Sequence, residues 1–110
     1  MICNPYDVVV VPFPFADRRR SKRRPALAIS SEEFSAVTGH TLLAMITSAD
    51  NAPWPMDVAI DAEAVGLAVP SKVRMKLFTL DNRLILRKAG TLSRTDQRTV
   101  SEAVRRVIGS

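Results

Sequence analysis

Cysteine and histidine each occur once in the 110 residues, as Cys3 and His40. That count excludes an internal disulfide and any Cys/His zinc site built by one chain. It also leaves no pair of histidines for acid–base catalysis unless subunits share a site. With only four glycines, the chain has no glycine-rich phosphate loop, and it lacks a nucleophile elbow and a helical metal-binding histidine pair. The longest nearly unbroken apolar run, Val8 to Ala16, contains Pro12 and Pro14 and falls well short of the ~20 residues that a membrane helix needs. No basic segment precedes an apolar stretch at the N-terminus, and Asp7 stands where a signal peptide would be hydrophobic. We therefore expect a cytoplasmic protein with no membrane segment.

Hydrophobic residues make up 46% and charged residues 25%, a globular balance in a length that suits one domain, 1–110. Sixteen Lys and Arg face eleven Asp and Glu, for a net charge of +5, which favours an anionic partner without naming one. The positive charge is clustered. Asp17 to Arg24 reads DRRRSKRR, and mutual repulsion predicts a mobile loop over about 17–24.

The run Asp7 to Phe15, DVVVVPFPF, is too continuously β-branched and aromatic for a one-faced strand, so burial on both faces is expected. Pro12 and Pro14 withhold N–H groups on one edge, which predicts a sheet edge or a bend there. Pro25 holds Arg24 in extended geometry and opens a second run, Ala26 to Ile29, ending at Ser30 and Ser31. A Thr38-Gly39 turn signal leads to a third run, Thr41 to Ile46, ending at Thr47 and Ser48.

Ala49 to Pro55, ADNAPWP, reads as a loop around the one tryptophan, Trp54, and Asp57 to Asp61 as a short strand. Its acids are read as a solvated exterior in preference to a metal site. Between Ser71 and Leu80, Val73, Met75 and Leu77 alternate with Lys72, Arg74 and Lys76, predicting one packed face and one basic stripe. Asp81-Asn82 suggests a hairpin turn into Leu84 to Leu92, with a bend or bulge at Gly90. Val100, Ala103, Val104, Val107 and Ile108 recur at helical spacing between a Ser93 cap and Gly109, so an amphipathic helix over about 94–108 closes the chain. Hairpin-like links without βα alternation indicate a mainly β fold with helices: a small, curled antiparallel sheet approaching a barrel.

This composition leaves Arg, Lys, Ser, Thr, Asp and Glu for any chemistry. RNA cleavage by its own 2′-hydroxyl needs no protein nucleophile, only alignment, proton transfer and donors for the charge that builds on the phosphorane. Arg24 suits that task, because a planar guanidinium grips two phosphate oxygens; on composition it is equally one more basic-loop residue. Thr47 and Ser48 fit as phosphate donors or as ordinary strand-end caps. Trp54 reads as a stacking residue or a partly buried core residue, and His40 as an exposed bystander in a turn.

The segments DVVVVPFPF, KRRPALAIS, ITS, GLAVPSKVR and LRKAGTLS, in that order before a terminal helix, resemble the MazF/PemK toxins of bacterial toxin–antitoxin systems over about residues 6 to 109. The resemblance implies an SH3-like barrel that forms a homodimer. It also implies a metal-independent, cofactor-free, sequence-selective endoribonuclease acting on single-stranded mRNA and silenced by an acidic antitoxin protein. Products would carry a 2′,3′-cyclic phosphate and a 5′-hydroxyl. By the same resemblance Arg24 and Thr47 are the catalytic pair, Ser48, Ser71 and Arg74 line the RNA groove, and Asp17 and Ser21 lie in the loop bordering it.

Two departures stand out. Tyr6 replaces a usual glycine and is expected to alter loop contacts near the site. Lys76 replaces a common acid and is expected to alter sequence preference or antitoxin fit. Competing readings are a CcdB-like poison that binds gyrase without catalysis, and an SH3-like nucleic-acid adaptor that binds without cutting.

Overall fold

The valines of residues 8–11 are all buried, on both faces of the sheet, because each face carries a core: Val8 packs into one, and Val9 and Val11 into the other. A computed structural model of the chain describes residues 1–13 and 22–109. In it, β1 (Asp7–Phe13), β2 (Lys22–Ala28), β3 (His40–Ser48), β4 (Val58–Ile60), β5 (Ser71–Asp81) and β6 (Arg87–Thr91) form one six-stranded sheet. Its order is β4-β5-β3-β2-β1-β6, and every neighbouring pair is antiparallel. The curled antiparallel sheet with a C-terminal helix is the architecture expected from the sequence.

The expected hairpin after Asp81 is not formed. β6 pairs with β1 at the far side of the sheet, and β3, β2 and β1 stand between it and β5. Asp81-Asn82 instead starts a one-turn helix, Asn82–Leu84, in which Asp81 Oδ1 accepts from Arg83 N at 2.9 Å. The bulge is where it was expected: Val8 pairs with Gly90 and Val9 with Lys88, which leaves Ala89 as the extra residue. A Cβ on Gly90 would lie 3.0 Å from the Val65 backbone, so only glycine lets β6 press this close.

β1 is not an edge strand, but Pro12 still sits where no ladder bond is needed. Val10 O accepts from Leu86 N at 2.9 Å, so Val10 and, two residues on, Pro12 turn their backbone toward β6, whose pairing stops at Val10. Pro25, opposite Val10, turns the other way, toward β3. It has no N–H to donate there, and the β2–β3 ladder ends one residue earlier, at Ala26 with Met45. The two strands part at that point. Lys22 and Arg23, expected in the mobile loop, are strand residues paired with Phe13 and Pro12, while Arg24, expected to be held extended by Pro25, pairs with Val11. Residues 17–21 of that loop, with Pro14, lie outside the described residues.

Two α-helices among the described residues complete the fold. α1 (Glu32–Thr38), which the turn signal at Thr38-Gly39 did not reveal, starts where Ser31 Oγ accepts from Phe34 N at 3.0 Å. α2 (Arg94–Ile108) begins at the Ser93 cap, whose Oγ accepts from Asp96 N at 3.2 Å, and stops at Gly109 with φ 72°. It buries Val100 and Ala103 against one face of the sheet, with Val8, Leu27, Ala44, Ile46 and Val73. Val107 and Ile108, on the same periodic stripe, run past the sheet and stay exposed.

The opposite face packs Val9, Val11, Ala26, Ala28, Leu43 and Leu80 beneath Cys3 and Ile85. Burial and the nearby Asp7 carboxylate push the Cys3 thiol up from its ordinary range. A buried polar knot pins α1 to the β5–β6 connection: Thr41 Oγ1 donates to Asn82 Oδ1 at 2.6 Å, and Asn82 Nδ2 donates to Ser35 O at 2.9 Å.

Candidate active site

Where β2 and β3 part, a cleft of about 440 Å³ opens on the sheet face opposite α2. Arg24 and Thr47 each lie two residues beyond the last paired residues, Ala26 and Met45, on the two strands that part. β5 extends the row, since Thr47 pairs with Lys72 and Ser48 with Ser71. Arg24, Thr47, Ser48 and Ser71 all line the cleft, and Phe13, Val69 and Phe78 form apolar walls. Four of the residues selected from the sequence are thus brought together by three strands. Asp17 and Ser21 lie outside the described residues.

Among the described residues the Arg24 side chain has neither an ion-pair nor a hydrogen-bond partner, and it is exposed. Ser71 Oγ donates to Val69 O at 2.8 Å, and Ser48 Oγ accepts from Asp50 N at 3.3 Å. Thr47 Oγ1 accepts from Asn51 Nδ2. Asn51 also lines the cleft, and no sequence motif pointed to it; the signal was its place four residues after Thr47 in the ADNAPWP loop. The described lining contains no carboxylate, histidine or cysteine. It offers hydrogen-bond donors and one guanidinium to whatever enters, a lining suited to an anion such as phosphate.

Arg74 is turned elsewhere. Its Nε lies 3.2 Å from Asp57 Oδ1, its Nη2 3.1 Å from Asp57 Oδ2, and the same Nη2 donates to Ala52 O at 2.6 Å. Lys72 Nζ sits 3.3 Å from Asp57 Oδ2, and the three side chains are only 12% (Asp57), 10% (Lys72) and 15% (Arg74) exposed. Two corrections follow. Asp57 is not part of a solvated acidic face, because β5 lays its cations over it. The basic stripe is not uniformly open, because only Lys76 of the three is exposed.

Burial by itself would raise the Asp57 carboxyl, but hydrogen bonds from Arg74, the Trp54 backbone and Lys72 outweigh it and hold the carboxyl below its ordinary range. Trp54 is 42% exposed, with Lys76 Nζ 4.4 Å from its ring centre. It is therefore a surface platform for a cation rather than a core residue.

The family model described as "PemK-like, MazF-like toxin of type II toxin-antitoxin system" matches residues 4–108. The chain belongs to this toxin family. No curated protein matches it significantly. Among solved structures, MazF from Deinococcus radiodurans superposes with a TM-score of 0.78 at 22% identity, covering 100% of this chain and 99% of that one. MazF-mt6 from Mycobacterium tuberculosis gives 0.75 at 21% identity over 94% and 96%. A MazE–MazF complex from D. radiodurans gives 0.79 at 20% identity over 99% and 98%. At these identities the structural likeness speaks to fold, and the family match carries the assignment to the MazF/PemK toxins.

Within that family frame the Tyr6 departure has a backbone explanation. Tyr6 adopts φ 71°, the left-handed region that glycine enters without steric cost. It precedes the start of β1, whereas the cleft lies at the end of the same strand, roughly 20 Å away at the usual strand rise. The expected effect on contacts near the site is therefore corrected: Tyr6 packs against the α2-side core.

Proposed function

We propose that this toxin-family chain is a metal-independent endoribonuclease that cuts single-stranded RNA in the Arg24–Thr47 cleft. The observation that carries the reading is Arg24: a guanidinium whose side chain is unpaired among the described residues, lining the same donor-rich cleft as the Thr47 hydroxyl. In the reaction, the 2′-hydroxyl of the substrate gives its proton to solvent as its oxygen attacks the adjacent phosphorus, and the bond to the 5′-oxygen breaks. A 2′,3′-cyclic phosphate forms, and the departing oxygen takes up a proton to become a 5′-hydroxyl.

Arg24 stabilises the charge that grows on the non-bridging oxygens, and Thr47 adds a hydrogen bond to the same group. A guanidinium with a pKa above about 12 is a poor base, so Arg24 is assigned to charge stabilisation and not to proton removal. Phe13 and Phe78 give the bases beside the cut an apolar surface to rest on.

The remaining parts of the reading are a homodimer, a cytoplasmic location and an acidic antitoxin whose chain covers the cleft and excludes RNA. The D. radiodurans MazE–MazF structures support, by analogy, an antitoxin partner. The deciding experiment is single-turnover cleavage of a long natural RNA in EDTA by wild type and Arg24→Ala, with the ends mapped. Cuts bearing 5′-hydroxyl ends in wild type, slowed by about 10²–10³-fold in the variant, are expected. RNA that binds but stays intact would instead favour the adaptor or the gyrase-binding poison.

A further inference from the structure

Asn51 belongs to none of the motifs that lead to the cleft, yet it is the residue that touches Thr47. The geometry points to Asn51 as a positioning residue that orients the Thr47 hydroxyl so that its proton is directed at the phosphate, an inference that rests on the ribonuclease reading above. A hydroxyl has one proton and two lone pairs. Asn51 Nδ2 donates to Thr47 Oγ1, and an amide N–H is met only by a lone pair. The O–H of Thr47 is therefore left to donate in another direction. No described protein acceptor takes it, and the cleft lies in front of it.

Asn51 is exposed, so a free loop would hold this amide poorly. The loop is tied down from two strands. Asn51 N donates to Ser48 O at 3.1 Å, which keeps the turn tight against the end of β3. From β5, Lys72 Nζ donates to Asn51 O at 2.6 Å and Arg74 Nη2 donates to Ala52 O at 2.6 Å. Both cations are held in place by Asp57. Lys72 is also the β5 residue paired with Thr47, so the cation that anchors Asn51 and the hydroxyl that Asn51 orients share one row of the sheet. The Asp57 cluster thereby has a task beyond stability: it fixes the loop from which the threonine is aimed.

A double-mutant cycle tests this, read as the single-turnover cleavage rate of a single-stranded RNA at saturating enzyme. Affinity is measured separately on the all-2′-deoxy form of the same oligonucleotide, which cannot be cut. Asn51→Ala is expected to slow cleavage by about tenfold, the scale of one neutral hydrogen bond, with affinity and thermal midpoint unchanged. In a Thr47→Val background, which keeps Arg24 and hence measurable cleavage, the same change should cost nothing further. In a Thr47→Ser background, where the hydroxyl is retained, the tenfold loss should return.

Equal losses in the wild-type and Thr47→Val backgrounds would overturn the proposal, because Asn51 would then be acting on substrate or fold directly. So would undiminished cleavage by Asn51→Ala while the wild type cuts. A wild type that leaves all RNA intact removes the ribonuclease reading itself, and the positioning role with it.

Discussion

Arg24 and Arg74 carry the same guanidinium on the same face of one sheet, and the family resemblance implied a place for both at one RNA groove. The fold treats them in opposite ways. Arg24 stands at the cleft without a described partner, whereas Arg74 is clamped by Asp57 and by the Ala52 carbonyl. The difference comes from their neighbours across the sheet. β2 has lost its ladder with β3 beside Arg24, so that side chain meets open space. Arg74 is still paired, with Met45 of β3, at the edge of a bulge, and on its other flank β4 brings up the carboxylate that just precedes it. A positive charge in a sequence becomes a binding group only where the chain leaves it uncompensated.

The largest expected effect breaks the comparison on the Arg24 side. Arg24→Lys keeps the charge but loses the two-pronged donor geometry. Its cleavage rate should fall by about tenfold or more, toward that of Arg24→Ala, with no change in thermal midpoint, because the Arg24 side chain makes no described hydrogen bond or ion pair to lose and its backbone pairing with Val11 is kept. A Lys variant as fast as wild type would reduce Arg24 to a generic charge.

Asp57→Asn attacks the other side. It leaves two largely buried cations without their carboxylate, and a loss of about 2–3 kcal/mol in unfolding free energy is expected in urea titrations. The same variant frees Lys72 and Arg74 for phosphates, so the slope of log affinity against log salt for single-stranded RNA should steepen by about one to two. An unchanged slope would mean that those cations stay turned away from the cleft even without Asp57.

The acid limb of stability sharpens the point. A carboxyl held lower in the folded state than in the unfolded chain means that the unfolded chain binds the proton more readily. The contribution of Asp57 is therefore complete above about pH 4–5 and drains away as pH falls through its folded-state value. Wild-type stability should drop in that window, and Asp57→Asn should show a shallower drop in acid-unfolding curves.

The smallest effect belongs to Arg83 and Asp81, 2.8 Å apart but with the Arg83 side chain 88% exposed. Hydrogen bonding from Arg83 holds Asp81 well below the usual carboxylate range. Solvent nevertheless screens the pair, and Arg83→Ala should leave the thermal midpoint within measurement error. A clear drop would show that exposure is a poor guide to which ion pairs matter here.

Much of the fold was legible because local rules and tertiary packing agree. The valine run 8–11 reads as doubly buried because no polar residue interrupts it, and α2 carries both its cap and its stop in sequence. The helix α1 was hidden: its seven residues, EEFSAVT, are too few to show a period, and Ser31 was read as a strand end. The hairpin after Asp81 failed because a turn signal specifies a change of direction and not the strand that receives the chain. For the site, the family resemblance placed Arg24, Thr47, Ser48 and Ser71 in the cleft, while Asn51 and the Asp57 clamp were invisible. Each depends on contacts between residues four to 22 positions apart and on side-chain direction, neither of which a linear pattern encodes.

The sequence by itself determined which segments must be buried, where α2 begins and ends, and that Arg24 would be held extended by Pro25. These follow from side-chain shape, charge and backbone restriction within a few residues. Only the tertiary structure decided that Pro25 would end the ladder to β3 and open a cleft there, because a missing N–H matters only once a partner strand faces it. Likewise, only the tertiary structure decided which cations would be neutralised, because Coulomb interactions depend on separation in space. Asp57 reaches Lys72 and Arg74 only when β4 is laid against β5.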